Sequence, residues 1–149
     1  MRMMFATPAL LAVTLLAAAG TAMAGDPPCK TNFKEEGRFI TGRRFSSFDT
    51  VTGVSVSTAF KRIYAEGTKS GLRVASSDEK AGVISFEQPN AGSTLGGTSA
   101  DLPWNVVIES AGKKDVKITV TKTTPGGYST STKFQIESIC AVIDAARNP

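Results

Sequence analysis

Residues 104–121 read WNVVIESAGKKDVKITVT, and their alternation decides the fold class. Trp104, Val106 and Ile108 fall on one side of an extended chain, with Asn105, Val107 and Glu109 on the other. Beyond the turn Ala111-Gly112-Lys113-Lys114, a second run sets Val116, Ile118 and Val120 against Lys117, Thr119 and Thr121. A period of two with a single apolar phase is the pattern of an antiparallel hairpin buried on one face and solvated on the other. The apolar face of such a sheet needs a cover.

Two stretches supply it. In VSTAFKRIYAEGTKSG (56–71), Val56, Ala59, Phe60 and Ile63 recur at i, i+3, i+4 and i+7, with Lys61, Arg62 and Glu66 turned away. Ser55 or Ser57 can cap the start of this helix, and Gly71 can end it. Near the C-terminus Ile136, Ile139, Cys140 and Ile143 repeat the spacing, which predicts a helix from about 129 to 146. Between these helices, LRVAS (72–76) and GVISFEQ (82–88) are short β-rich runs across a polar turn, and FITGRRFSSFDTV (39–51) reads as a first strand of uncertain limits. Residues 25–38 are polar and broken by Pro and Gly, an irregular lead-in, and 88–103 (QPNAGSTLGGTSADLP) is the main flexible loop. The expected fold is therefore α+β, a two-layer sandwich. It has four to five antiparallel strands, two helices on one face, and the order β-α-β-β-β-β-α.

The first 24 residues carry Arg2, an apolar run from Phe5 and the tripeptide Ala22-Met23-Ala24. This is the layout of a secretory signal peptide cleaved after Ala24, leaving 25–149 as one domain. The apolar run is shorter than the roughly 20 residues of a membrane span. Pro27-Pro28 stand directly before Cys29, where a lipoprotein signal would have a small residue, so a lipid anchor is not expected. The chain has two cysteines and no histidine. In an oxidising compartment Cys29 and Cys140 are expected to pair, closing a long loop that the chain-entropy model values at roughly 4–5 kcal/mol. A reactive thiol would need a base or a C-x-x-C partner, and neither is present.

The absence of histidine excludes Ser-His-Asp and Cys-His sites and removes the main ligand of typical zinc sites, so neither metal nor cofactor is expected. Ser77-Asp78-Glu79-Lys80 matches S-x-x-K but lacks the companion motifs of that chemistry and reads as a charged turn. Gly92 to Ser99 nearly matches a phosphate loop, but Thr98 replaces its lysine. The formal charge of +4 falls by one with Arg2, and the basic pairs Arg43-Arg44, Lys61-Arg62 and Lys113-Lys114 are dispersed, so nucleic acid is not the expected partner. The open sheet face remains: Asn105, Glu109, Lys117, Thr119 and Thr121, joined by Arg73, Ser85 and Glu87, form a candidate face for another envelope protein or peptide, together with the 88–103 loop.

The succession VSVSTAFKRIYAEGTKSGLRVASSDEKAGVISFEQ (54–88), then VKITVTKTTPGG (116–127) and a closing helix, resembles small α+β domains of bacterial envelope proteins. These have the TATA-binding-protein-like layout of the outer-membrane assembly lipoprotein BamC. The resemblance spans residues 43–147 and carries no catalytic motif. It implies a non-enzymatic accessory or binding module, here soluble and periplasmic or secreted, with another exported protein as partner. Two alternatives stand beside it: an immunity-type inhibitor of a secreted toxin, and a small hydrolase using carboxylates such as Glu87, Asp101 and Glu109. Oligomeric state and the identity of the partner are not legible in the chain.

Overall fold

The computed structural model describes residues 25–147. The expected signal peptide and its cleavage site lie outside them. In chain order the elements are α1 (Pro28–Thr31), β1 (Lys34–Arg38), β2 (Gly42–Thr52), α2 (Val56–Lys69), β3 (Arg73–Asp78), β4 (Val83–Gln88), β5 (Leu102–Ser110), β6 (Asp115–Thr124) and α3 (Thr132–Asp144). All strand pairs are antiparallel, and the sheet order is β1-β2-β6-β5-β4-β3. The fold is α+β, with six strands where four to five were expected and three helices where two were expected.

The hairpin that opened the sequence reading is β5–β6, with Val106 opposite Val120 and Ile108 opposite Ile118. Its apolar phase is buried, together with Ile84 and Phe86 from β4 and Phe45 and Val51 from β2. Both long helices press on this face: Ala59, Phe60 and Ile63 from α2, and Ile139, Cys140 and Ile143 from α3, close one core. Burying each large aliphatic side chain contributes about 1.5–3 kcal/mol.

Both caps lie in the sequence. Ser55 Oγ accepts from Thr58 N and starts α2, while Ser131 Oγ accepts from Phe134 N and starts α3 at Thr132 rather than near 129. Gly71, at φ +86°, ends α2 with its N–H on Thr68 O while Leu72 N–H reaches Gly67 O, a Schellman pair.

Residues 25–51 depart furthest from expectation. The lead-in contains α1 and β1, and the expected strand 39–51 is the second arm of a hairpin, β2. Phe39 and Ile40 sit in its turn, with Ile40 78% exposed. Gly37 and Gly42 flank that turn at φ +91° and +105°, a conformation that L side chains seldom adopt. β1 (KEEGR) is exposed along its whole length, so it carries no apolar period and is held by its ladder to β2.

Cys29, in α1, is bonded to Cys140 in α3, with Cα atoms 5.7 Å apart and a separation of 111 positions in sequence. Ser47 Oγ donates to Cys29 O, and Asn32 Nδ2 donates to Phe48 O at 3.1 Å, so the N-terminal turn is tied to β2 as well.

The 88–103 loop, expected to be flexible, is tethered. Ser93 bridges Ser99, Thr94 bridges Tyr128, and Tyr128 Oη donates to Ala91 O at 2.6 Å. Ala100, Leu102 and Tyr128 form a small apolar cluster beneath it.

Candidate functional site

The register places all eight residues of the expected partner face together. Ser85 pairs with Asn105 and Asn105 with Thr121 across three strands, Arg73 faces Glu87, Glu109 faces Lys117, and Thr119 lies one step inward on β6. They occupy the side of the sheet away from the helices. Four of the eight are matched in pairs: Ser85 Oγ donates to Asn105 Oδ1 at 2.9 Å, and Arg73 Nη2 donates to Glu87 Oε2 at 2.6 Å. Lys117 Nζ lies 4.8 Å from the Phe48 ring centroid. These contacts suit a solvated face.

Glu87, Asp101 and Glu109 do not gather in a cleft. Glu87 and Asp101 meet at Arg73 Nη2, 2.6 and 3.8 Å away, while Glu109 lies near the opposite end of β5 beside Lys117. Ser77 and Asp78 end β3 rather than lying in a turn, and just beyond them Glu79 accepts from Ser57 Oγ, which holds its carboxyl below the usual range, and pairs with Lys61 at 3.6 Å. Ser77 and Lys80 form no nucleophile-base pair there. Among the described residues no group of three or more Cys, Asp or Glu could hold a metal, and no helix is long and apolar enough to cross a membrane.

A different site lies on the helix side. The apolar phase of β6 continues past Val116, Ile118 and Val120 to Lys122, which is only 1% exposed. Its cross-strand neighbours are Phe45 on β2 and Trp104 on β5. Nζ lies 4.4 Å from the Trp104 ring centroid and 5.6 Å from that of Phe134 on α3. No carboxylate pairs with it and no acceptor among the described residues takes its hydrogens. Burial alone pushes its pKa down, to about 8.

Lys122 forms part of the wall of a cavity of about 300 Å³ between α2, α3 and the sheet. The helix faces that line it carry small side chains, Gly67 on α2 and Ser138 and Ala141 on α3. Gly67 sits close on β4: a Cβ there would approach Phe86 Cζ to 2.5 Å. The remaining wall is mostly apolar, with Ile63, Leu72, Trp104, Phe134 and Val142. Gln88 Oε1 accepts from Trp104 Nε1 at 3.4 Å and fixes the indole. One acid, Glu66, reaches the rim, where it pairs with Lys69 at 3.8 Å and accepts from Ser70 Oγ at 3.5 Å. Its side chain is half exposed, unlike the deeply placed Lys122.

Sequence reasoning missed this lysine although the signal was present. A period of two that assigns Val116, Ile118 and Val120 to the core also assigns Lys122 to it.

No protein-family model matches the chain, and no curated protein matches it in sequence. Among solved structures it is similar to a conserved protein of unknown function from Enterococcus faecalis, at a TM-score of 0.50 and 7% identity, over 80% of this chain and 77% of that one. At that identity the likeness concerns the fold alone. None of these comparisons supports the resemblance to envelope lipoproteins of the BamC kind.

Proposed function

We propose that this chain is a non-enzymatic, exported binding module of the bacterial envelope, and that its ligand enters between α2 and α3 over Lys122 rather than docking on the open sheet face. The observation that carries this reading is the apolar cavity with an uncompensated cation in its wall. Three ammonium hydrogens are available there, two aromatic rings face them, and among the described residues no hydrogen bond or ion pair takes them. A cation over aromatic rings gains roughly 0.5–2 kcal/mol. That is less than the cost of burying an unpaired charge, so the arrangement is better matched to an occupied site than to a structural role. The expected leader and the bonded Cys29–Cys140 pair support export.

A protein partner, including the toxin of an immunity-type inhibitor, would dock on the open face, where Arg73 and Glu87, and Ser85 and Asn105, are already paired. Of the acids weighed for the carboxylate hydrolase reading, Glu87 and Asp101 share Arg73 and Glu109 stands apart from them.

The test uses Trp104, the single tryptophan of the chain. Its indole forms part of the cavity wall, so a ligand there should change its fluorescence intensity or emission maximum. The protein purified natively from the cell envelope, analysed by native mass spectrometry, should carry a small adduct that dissociates on unfolding. A folded protein whose Trp104 emission is indifferent to every small amphiphile tried, and which carries no adduct, would sink the reading.

A further inference from the structure

We infer that the cavity over Lys122 takes a small amphiphile with one anionic head, of the carboxylate class, held head-inward with its apolar tail toward Phe134. The inference rests on the reading that this cavity is the binding site, and adds the chemistry and orientation of the occupant.

Charge selects the head. Lys122 is the cation in the wall that lacks a counter-charge, and its three donors can be met by the two oxygens of a carboxylate. Depth sets the direction. Lys122 is 1% exposed, whereas Phe134 is 51% exposed, so the charged end of an occupant belongs at the bottom and the tail at the mouth.

The mouth also limits total charge. Glu66 stands at the rim, and although Lys69 pairs with it, a second anionic group on the ligand would meet its carboxylate there. A monoanion avoids this repulsion. Size limits the tail: about 300 Å³, at roughly 30 Å³ per water-sized unit, holds about ten such units. Longer tails would run out past Phe134. The wall of Ile63, Leu72, Trp104 and Val142 offers that tail apolar contact without hydrogen-bonding demands.

The experiment compares octanoate with 1-octanol, which share a tail and differ in head charge, by titrating Trp104 fluorescence of the full mature protein. Octanoate is expected to bind at least tenfold more tightly at pH 7. Lys122→Met should abolish that preference while retaining octanol binding. A second arm needs no variant. The cavity wall holds two charged groups, Lys122 and Glu66, and octanoate stays ionised from pH 7 to 9. Lys122 loses its proton over that interval, so octanoate affinity should fall about five- to tenfold and octanol affinity should not change. Equal affinities for the two probes, or an octanoate affinity flat from pH 7 to 9, would overturn the inference and leave the cavity as a neutral binding site. Silence of Trp104 toward both probes in a folded protein would overturn the underlying reading as well.

Discussion

Burial lowers the Lys122 ammonium from 10.5 to about 8, which corresponds to about 3 kcal/mol of native-state cost at pH 7. Contact with Trp104 and Phe134 offsets part of it. Lys122→Met, which keeps the length and removes the charge, is therefore expected to stabilise the ligand-free protein by about 1–3 kcal/mol at pH 7, read from denaturant unfolding. The pH dependence follows from linkage: between pH 8 and 10.5 the unfolded chain binds this proton more than the native chain does, so its destabilising effect is full below 8 and fades as pH rises. The gap between the variant and the wild type should narrow accordingly by pH 10. A gap that is constant with pH would mean that the buried charge is not its cause. Gly67 makes the opposite case. Gly67→Ala gains up to about 1 kcal/mol of helix propensity but forces Cβ to 2.5 Å from Phe86 Cζ, and overpacking of that kind costs about 1–3 kcal/mol. The variant should lose about 1–2 kcal/mol in the same assay. Both residues were legible in principle, Lys122 by its phase on β6 and Gly67 as a helix-interior glycine, but neither is visible to a reading that collects only apolar positions.

At the scale of elements, what could be read was what carried a period. β5, β6, α2 and the buried stripe of α3 have one apolar phase each, and the structure puts those phases into one core. β1 has none because every side chain on it is exposed, and α1 is a single turn begun by Pro28, too short for a periodic signal. Phe39 and Ile40 misled for a related reason: apolar residues in a tight turn look like the start of a strand until the glycines on either side are weighed. The cavity was not readable from any one element, since it lies where small side chains on two helices meet over a third element's lysine. The start of α3 matters to that site because Phe134 N–H is the group that Ser131 Oγ accepts from. Ser131→Ala should cost about 1 kcal/mol, which for a domain of this size lowers Tm by roughly 3–5 °C. An unchanged Tm would show that the cap adds nothing to α3.

For the whole molecule the staple dominates. Cys29–Cys140 joins the first turn of the described chain to its last helix. On the chain-entropy model this cross-link contributes roughly 4–5 kcal/mol, less any native strain. Cys140→Ser should lower Tm by about 12–25 °C under oxidising conditions, and addition of reductant to the wild type should move it toward the variant. Coincident melting curves would remove the disulfide from the stability of the fold. Arg147, which pairs with buried Asp49 and with Asp144, ties the same C-terminal end to β2 by charge. The 111-residue separation also bears on how the chain is made. At about 5–20 residues per second of synthesis, Cys29 exists for roughly 6–20 seconds before Cys140 has been added to the chain. For that interval its thiol can be oxidised only by another molecule, so correct bonding in the finished protein depends on a mixed disulfide being resolved late or on Cys29 being kept reduced until the last helix arrives.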